Sequence, residues 1–198
     1  MATQTPYAKL TGVWQFWTAA AQTTMTALDA SPSGSWTALG ATDGDQAFQY
    51  MGALTALADN HATGPMKHVR PEEGFQVTFT LVNLTLESRA TVLGMASATV
   101  AGGTSGGLTT KEIPLRRGFI PTRFALLARG GVLTSTNDMS PYGVWPAQIY
   151  IPQGVFGGEP QETYSKGGSP GLAAMFMAEY DTTQSAGYEF GQLIAQSA

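Results

Sequence analysis

The first candidate for catalytic chemistry is a serine in a glycine-rich run. Residues 103–107 read Gly-Thr-Ser-Gly-Gly, which matches the pattern of a hydrolase nucleophile elbow. Such an elbow needs a preceding strand, a following helix and a base from later in the chain, but both histidines, His61 and His68, precede Ser105. The run also lacks the Lys-Ser/Thr pair that ends a phosphate-binding loop. We interpret it as a flexible loop and predict neither a catalytic serine nor a nucleotide site.

Metal ligation has only weak candidates. His61, His68 and Asp59 lie at irregular spacing on a polar segment with no fourth ligand, so we interpret them as solvated loop residues. Asp43-Gly44-Asp45 lacks the later ligands of a calcium loop and is predicted to form a hairpin turn. The chain has no cysteine, which removes thiolate nucleophiles and cysteine-ligated metals. We predict a protein that is not an enzyme and needs no cofactor.

The elements around these residues are predicted to be mainly strands. Phe75, Val77, Phe79 and Leu81 alternate with polar residues, which is the period of a strand with one buried face. Similar alternation predicts strands at 14–18, 123–129 and 144–151, and residues 108–115 are predicted to be extended. The nearly continuous apolar run 172–180 fits a doubly covered strand or a buried helix turn, and its short length and flanking turns favour the strand. The 24 glycines and 11 prolines favour many short strands over a helical bundle. Without a repeat or a shift in composition, we predict one domain over residues 1–198.

One helix is predicted after the alternating strand. Leu86, Ala90 and Leu93 recur at i, i+4 and i+7, and Glu87, Ser88 and Thr91 lie away from that stripe. Asn83 or Thr85 is available as the N-cap, and Gly94 is a plausible stop. A helix of about three turns does not persist in water alone, so we expect its apolar stripe to pack on a sheet.

The composition points to a surface that is largely covered by other subunits, although a large content of Ala, Gly and Thr is an alternative explanation of the low charge. Only 12% of residues are Asp, Glu, Lys or Arg, against about 25% in an average soluble domain, while 43% are hydrophobic. No apolar run reaches the about 18 residues needed to span a bilayer, so no membrane contact is predicted. The run 12–21 is interrupted by Gln15, and we interpret it as an N-terminal strand instead of a signal peptide.

The order of elements from Trp36 to Gly94 carries a resemblance. A tryptophan-containing strand is followed by Leu-Gly-Ala-Thr-Asp-Gly at 39–44, a strand, a long connection, and a strand that leads into a helix. This order resembles the major tail, or tail tube, proteins of long non-contractile-tailed bacteriophages and of related gene transfer agents. In that family a tryptophan-containing strand and a Leu-Gly-x-Thr-x-Gly turn precede the same series.

The resemblance implies a structural protein of the virion tail, assembled in the host cytoplasm. It implies a β-sandwich or barrel-like fold with one short flanking helix, and six copies that close into a ring with their inner sheets joined. Rings would stack head to tail into a hollow tube. The expected partners are further copies, a tape-measure protein, tail terminator proteins, and DNA that passes through the lumen without specific binding.

The connection from Ala58 to Gly74 is the predicted contact segment. It joins two predicted strands with about 17 residues, and such long connections are usually functional or disordered. We predict an extended loop or hairpin that contacts neighbouring rings or subunits. In a chain otherwise poor in charge, the residues of this segment predicted to make the contact are His61, Lys67, His68, Arg70, Glu72 and Glu73.

The 14 acidic residues against 10 basic ones also predict an acidic lumen, because rows of Lys and Arg would hold the phosphates of passing DNA. This expectation requires that the following residues be paired or placed away from the lumen: Arg116, Arg117, Arg123 and Arg129. Specific nucleic-acid binding is not indicated, because stacking aromatic residues are not interleaved with the densest basic cluster, which consists of Lys111, Arg116, Arg117 and Arg123.

Two alternatives from other classes stay open. One is another virion or tube component, such as a capsid-decorating or secretion-tube protein, which would share the β content but differ in ring size or fail to polymerise. The other is a carbohydrate-binding β-sandwich that stacks sugars on Trp14, Trp17, Trp36 or Trp145, although their alternating segments favour a core role.

Overall fold

Thirteen strands and one helix make up the part of the chain that the structure, a computed structural model, describes. That part comprises residues 13–58, 65–70, 72–82, 84–96, 101–105, 107–115, 118, 120–132, 145–164 and 170–195. The elements are β1 (Gln15–Ala20), β2 (Thr37–Gly40), β3 (Thr42–Met51), β4 (Thr55–Ala58), β5 (Pro65–Val69), β6 (Gly74–Leu81), α1 (Leu86–Val92), β7 (Ala101–Ser105), β8 (Leu108–Glu112), β9 (Phe124–Val132), β10 (Trp145–Gly157), β11 (Glu162–Thr163), β12 (Gly171–Ala178) and β13 (Gln192–Ala195). The predicted mainly β fold with one short helix is confirmed.

Nine of the strands form one antiparallel sheet in the order β2-β1-β9-β10-β12-β6-β3, with β11 paired to β12 and β13 paired to β10. The long strand β10 changes its neighbour along its length. Its first half pairs with β13 and its second half with β12, and its register against β9 shifts between Ile151 and Gly154. This irregularity bends the sheet, as bulges do. The remaining strands form two separate hairpins, β4–β5 and β7–β8.

The sheet curls until its two ends meet across a common core. The Phe16 ring from β1 stacks on the Phe79 ring from β6 at a centroid distance of 4.0 Å. The backbone N–H of Trp14 donates to Gln46 Oε1 at 2.8 Å, and Gln46 Nε2 donates back to the Trp14 carbonyl at 3.0 Å. Thr42 donates to the same carbonyl at 3.1 Å. Side chains of β3 therefore join the two ends of the sheet, which gives the fold its sandwich-like shape.

The alternation predicted for β6 is confirmed. Val77, Phe79 and Leu81 are fully buried in the inner core, and each such side chain contributes on the order of 2 kcal/mol. β1 and β9 are buried on both faces, since Phe16 and Leu126 point into this core while Trp17 and Leu127 belong to a second cluster.

That second cluster lies under the segment 21–36, which connects β1 to β2. Polar side chains hold the segment by donating to its carbonyls. Arg129 donates to the carbonyls of Ala27 and Ala30, and Gln148 donates to the carbonyl of Thr26. The Tyr150 hydroxyl donates to the Thr23 carbonyl, and the Trp36 indole N–H donates to the Thr24 carbonyl. Because these bonds satisfy the carbonyls of an irregular segment, both faces of the central strands can be buried.

The predicted helix is present, but its buried face differs from the prediction. Thr85 is the N-cap and accepts from the backbone N–H of Ser88, as expected for one of the two candidates. Ser88 and Thr91 are buried, and the Ser88 hydroxyl donates to the Leu39 carbonyl at 2.7 Å. Leu86 and Leu93 are only partly buried. Ala90, the central residue of the predicted stripe, is fully buried as expected. The prediction was wrong at the two leucines, because a hydrogen bond to β2 places the small polar face against the sheet as well.

The structure differs from two local predictions, a hairpin turn at 43–45 and a loop at 103–107. Asp43-Gly44-Asp45 lies inside β3, where the register against β6 shifts between Asp43 and Ala47, and Gly44 has φ of 72°. The segment is a bulge that turns Gln46 toward Trp14, not a hairpin turn. The glycine-rich run 103–107, predicted as a loop, holds the last three residues of β7, which pair with β8, and Gly107 lies in the turn before β8.

Candidate functional site

The predicted contact segment, residues 58–74, contains β5 and the last residue of β4, and these two strands pair as the β4–β5 hairpin. Thr55 pairs with Val69 and Ala56 pairs with His68, and Lys67 and His68 are exposed. In the part of the chain that the structure describes, neither strand packs extensively on any other strand or helix. His61 lies outside the described residues. The structure therefore gives the segment the form of a hairpin arm, while its role in assembly stays a prediction.

The base of the hairpin brings together two of the predicted residues. The Arg70 guanidinium lies over the Tyr50 ring, 5.4 Å from its centroid, which is a cation–π contact. A hydrogen bond with the Glu73 carboxylate raises the pKa of Tyr50 above its ordinary value, and Arg70 opposes this effect. Glu72 is exposed beside them. Sequence reasoning placed Arg70 and Glu73 on the same segment but did not identify Tyr50 as the residue between them.

The second hairpin, β7–β8, is tied to the helix by an ion pair. Lys111 Nζ lies 2.5 Å from Glu87 Oε1, and this hydrogen bond lowers the pKa of Glu87. Ser105 pairs with Leu108 and is followed by strand β8, so the strand-to-helix turn of a nucleophile elbow is absent there.

An aromatic groove lies beside the base of the β4–β5 hairpin. It has a volume of ≈ 520 Å³. The residues that define it are Tyr50, Phe75, Tyr180, Phe190, Glu73 and Glu189. A second cleft of ≈ 490 Å³, which includes Asp45 and Gln46, shares Phe48, Ile149 and Leu193 with it. Neither cleft has a Lys or Arg among its described lining residues.

Sequence reasoning missed the C-terminal side of this groove. Tyr180, Tyr188 and Phe190 occur in a turn-rich segment, and Tyr180 and Phe190 meet edge to face at 5.9 Å. Tyr180 and Tyr188 are 58% and 50% exposed. The available signal was the presence of three aromatic residues in a segment otherwise rich in Asp, Thr, Ser and Gly. Several exposed rings close together are typical of a contact surface.

Two of the four arginines that bear on the lumen prediction can be placed. Arg123 Nε forms an ion pair with Glu179 at 2.7 Å. Arg129 is buried, and its guanidinium donates to Gln148 and to two backbone carbonyls. Arg116 and Arg117 lie outside the described residues. Both placed cations therefore meet the condition that they be paired or kept inside the subunit.

The tryptophans considered as sugar platforms are core residues where they can be described. Trp14, Trp17 and Trp36 are between 7% and 8% exposed. Their rings pack on neighbouring aromatic or apolar side chains, as in the edge-to-face contact between Trp36 and Tyr150. The Trp145 side chain lies outside the described residues. Three of the four predicted platforms thus have no open ring face on which a sugar could stack.

Among the described residues, no group of three or more His, Cys, Asp or Glu side chains is placed to hold a metal ion. Asp59 and His61, two of the three ligands considered from the sequence, fall outside that part of the chain. No helix in the described ranges is long and apolar enough to cross a membrane.

A scan against models of protein families and a search of curated proteins each found no match to this chain.

Proposed function

We propose that this chain is the structural subunit of a phage-like tail tube, which forms stacked hexameric rings whose hollow lumen conducts DNA during ejection. The observation that carries the proposal is the pair of β-hairpins, β4–β5 and β7–β8, which leave the main sheet and pack little on it in the described part of the chain. A two-stranded hairpin is marginally stable in water by itself. Neighbouring copies would supply the surfaces that such arms require.

Exposed apolar side chains support assembly. Leu108, Leu115 and Ile120 are 72%, 85% and 91% exposed, and they follow one another from the second hairpin into the next connection. Only 12% of the chain is charged, so few ionic groups are present to solvate such a surface. Burial of these side chains between copies would remove apolar area from water.

The edges of the main sheet also favour a ring. β2 and β3 end the path of paired strands, and most residues of β3 are exposed. Seven of the ten residues of β3 are exposed, and such an edge is a template for uncontrolled pairing unless another chain covers it. In the tube assembly, the sheets of neighbouring copies join and the edges disappear. A head-to-tail contact then repeats from ring to ring and produces a tube.

Passage of DNA requires walls that do not hold phosphates. The ion pair of Arg123 with Glu179 and the burial of Arg129 leave fewer free cations to line a pore. We therefore keep the prediction of a net acidic lumen. Once a tube structure identifies the lumen-facing carboxylates, their replacement by Lys is expected to slow ejection and make it salt-dependent while assembly persists. A pore lined mainly by unpaired Lys and Arg would contradict the prediction.

Sedimentation over a range of protein concentrations tests the proposed function. A tube subunit is expected to give a hexamer and, at higher concentration, polymers whose size grows with concentration. A single monomeric species at all concentrations would contradict the proposal. A closed oligomer with another subunit number would favour the alternative of a different virion or tube component.

A further inference from the structure

The aromatic groove has the chemistry of a site for a cationic side chain. Tyr50, Tyr180 and Phe190 present π-systems, and the Glu73 and Glu189 carboxylates lie among them. Rings with carboxylates nearby attract ammonium and guanidinium groups, because the ring faces are electronegative. The Arg70 guanidinium over Tyr50, at 5.4 Å, shows that a ring at the rim already accepts a cation.

The β4–β5 hairpin has the complementary charge. From Thr55 to Arg70 the sequence holds Lys67, Arg70 and two histidines against one acid, Asp59. Lys67 and His68 are exposed on β5. No described residue of β4 or β5 lines the groove of its own subunit, although the hairpin starts at the groove's rim. Each subunit therefore carries one basic arm and one acidic, aromatic groove. Arg70, at the base of the arm, lies over the Tyr50 ring at the rim, and the described residues of β4 and β5 leave the rest of the groove open.

We propose that the aromatic groove of one subunit receives the β4–β5 hairpin of a neighbouring copy, with Lys67 placed among the groove's rings and carboxylates. This inference rests on the proposed tube function and specifies its contact surfaces. The contact is heterologous, because the arm and the groove are different surfaces of the same chain. Such a contact does not form a closed two-fold dimer. It repeats from one copy to the next, as the contacts of a ring or a stack must.

Charge reversal tests the contact. Lys67→Glu and Glu189→Lys are each expected to raise the protein concentration needed for tube formation by roughly ten-fold. The double variant, which restores opposite charges, should recover much of the loss. Glu159→Lys makes the same change at an exposed site outside both the groove and the hairpins, and should assemble as the wild type does. Circular dichroism checks that each subunit is folded, and Glu73→Lys provides a second groove variant.

Disulfide trapping locates the contact directly, because the chain has no cysteine of its own. Thr55 lies on the same face of the hairpin as Lys67, and Gln192 lines the groove. Tagged Thr55→Cys protein mixed with untagged Gln192→Cys protein should give a tagged-to-untagged disulfide dimer on oxidation under assembly conditions. Thr163→Cys, at an exposed site on β11, replaces Gln192→Cys in the control mixture and should give none.

The outcomes separate this inference from the proposed function. Tubes from the wild type, with no effect of Glu189→Lys and Glu73→Lys and no mixed disulfide, would overturn the groove contact and leave the tube function in place. Failure of the wild type to form rings or tubes would overturn the proposed function itself. Impaired assembly of both single reversals, recovery in the double variant and the specific disulfide would establish the contact.

Discussion

At the scale of single residues, Asp181 orders the C-terminal turns that form one side of the groove. Its carboxylate is 2% exposed and accepts bonds from the Thr183 backbone N–H and hydroxyl, and from the amides of Gln184 and Gln22. Burial acts to raise the pKa of Asp181, but these hydrogen bonds outweigh it and hold the pKa below its ordinary value. The charged form is therefore favoured by the fold.

Asp181→Asn is expected to lower the free energy of unfolding by about 2 kcal/mol at pH 7, since hydrogen bonds to a charged group are lost. A lowered folded-state pKa stabilises the protein above the unfolded-state value of about 3.9, and this contribution disappears as the pH falls through the folded-state pKa. Urea unfolding of both proteins from pH 7 to pH 2 checks this. A difference that stays constant over that range would contradict the role of the charge.

Gly130 tests the closure of the sheet. A Cβ at this position would lie 2.7 Å from the Trp14 ring, and the backbone of Trp14 accepts and donates the bonds that join β3 to β1. Gly130→Ala should destabilise the protein by about 1–3 kcal/mol through overpacking and should change its tryptophan fluorescence. Gly102→Ala is the control, because nothing lies within 4 Å of its Cβ position. Equal, small effects of the two substitutions in urea unfolding would contradict this account.

Residue periodicity predicted the inner face of β6, because two-residue alternation directly reports which side of a strand is buried. It did not predict Gln46 or Ser88. Both matter through hydrogen bonds to residues distant in sequence, Trp14 and Leu39, and no local pattern encodes such partners. The groove was missed for the same reason, since Tyr50 and Tyr180 are brought together by strand order alone.

At the scale of elements, the β4–β5 hairpin is the most direct candidate for an assembly arm. The sequence predicted an extended loop or hairpin from its length and charge, and the structure has a hairpin there. The hairpin starts earlier in the chain than the predicted segment. Its first strand, β4, begins at Thr55, which pairs with Val69. In the second hairpin, β8 lies within the segment 108–115 that was predicted to be extended, whereas the glycine-rich β7 was not predicted, since glycines carry little strand signal.

Replacement of residues 52–73 by Asn-Gly removes the arm without disturbing the main sheet. Met51 pairs with Gly74, so a two-residue turn can join them directly. The subunit should stay folded, because neither strand of the arm packs extensively on the described sheet. Tube assembly should be lost. Circular dichroism and electron microscopy measure the two results, and normal tubes from a folded variant would show that the arm makes no essential contact.

At the scale of the whole molecule, one sheet curls so that both faces of its central strands are covered. The inner core fills the curl, and the segment 21–36 covers the outside of β1, β9 and β10. Among the described residues, the open features include the aromatic groove, the cleft beside it, two hairpin arms and the edges at β2 and β3. Several strands of the sheet were predictable from sequence. Their order was not, because pairing between strands far apart in the chain has no local signature.

The central claim is that identical copies of this chain build a hollow tube. Negative-stain electron microscopy of concentrated purified protein tests it most directly. The account predicts tubes of uniform width with a stain-filled axis, and end-on views with six-fold symmetry. Monodisperse particles without a lumen, at every concentration at which the protein stays soluble and folded, would contradict it.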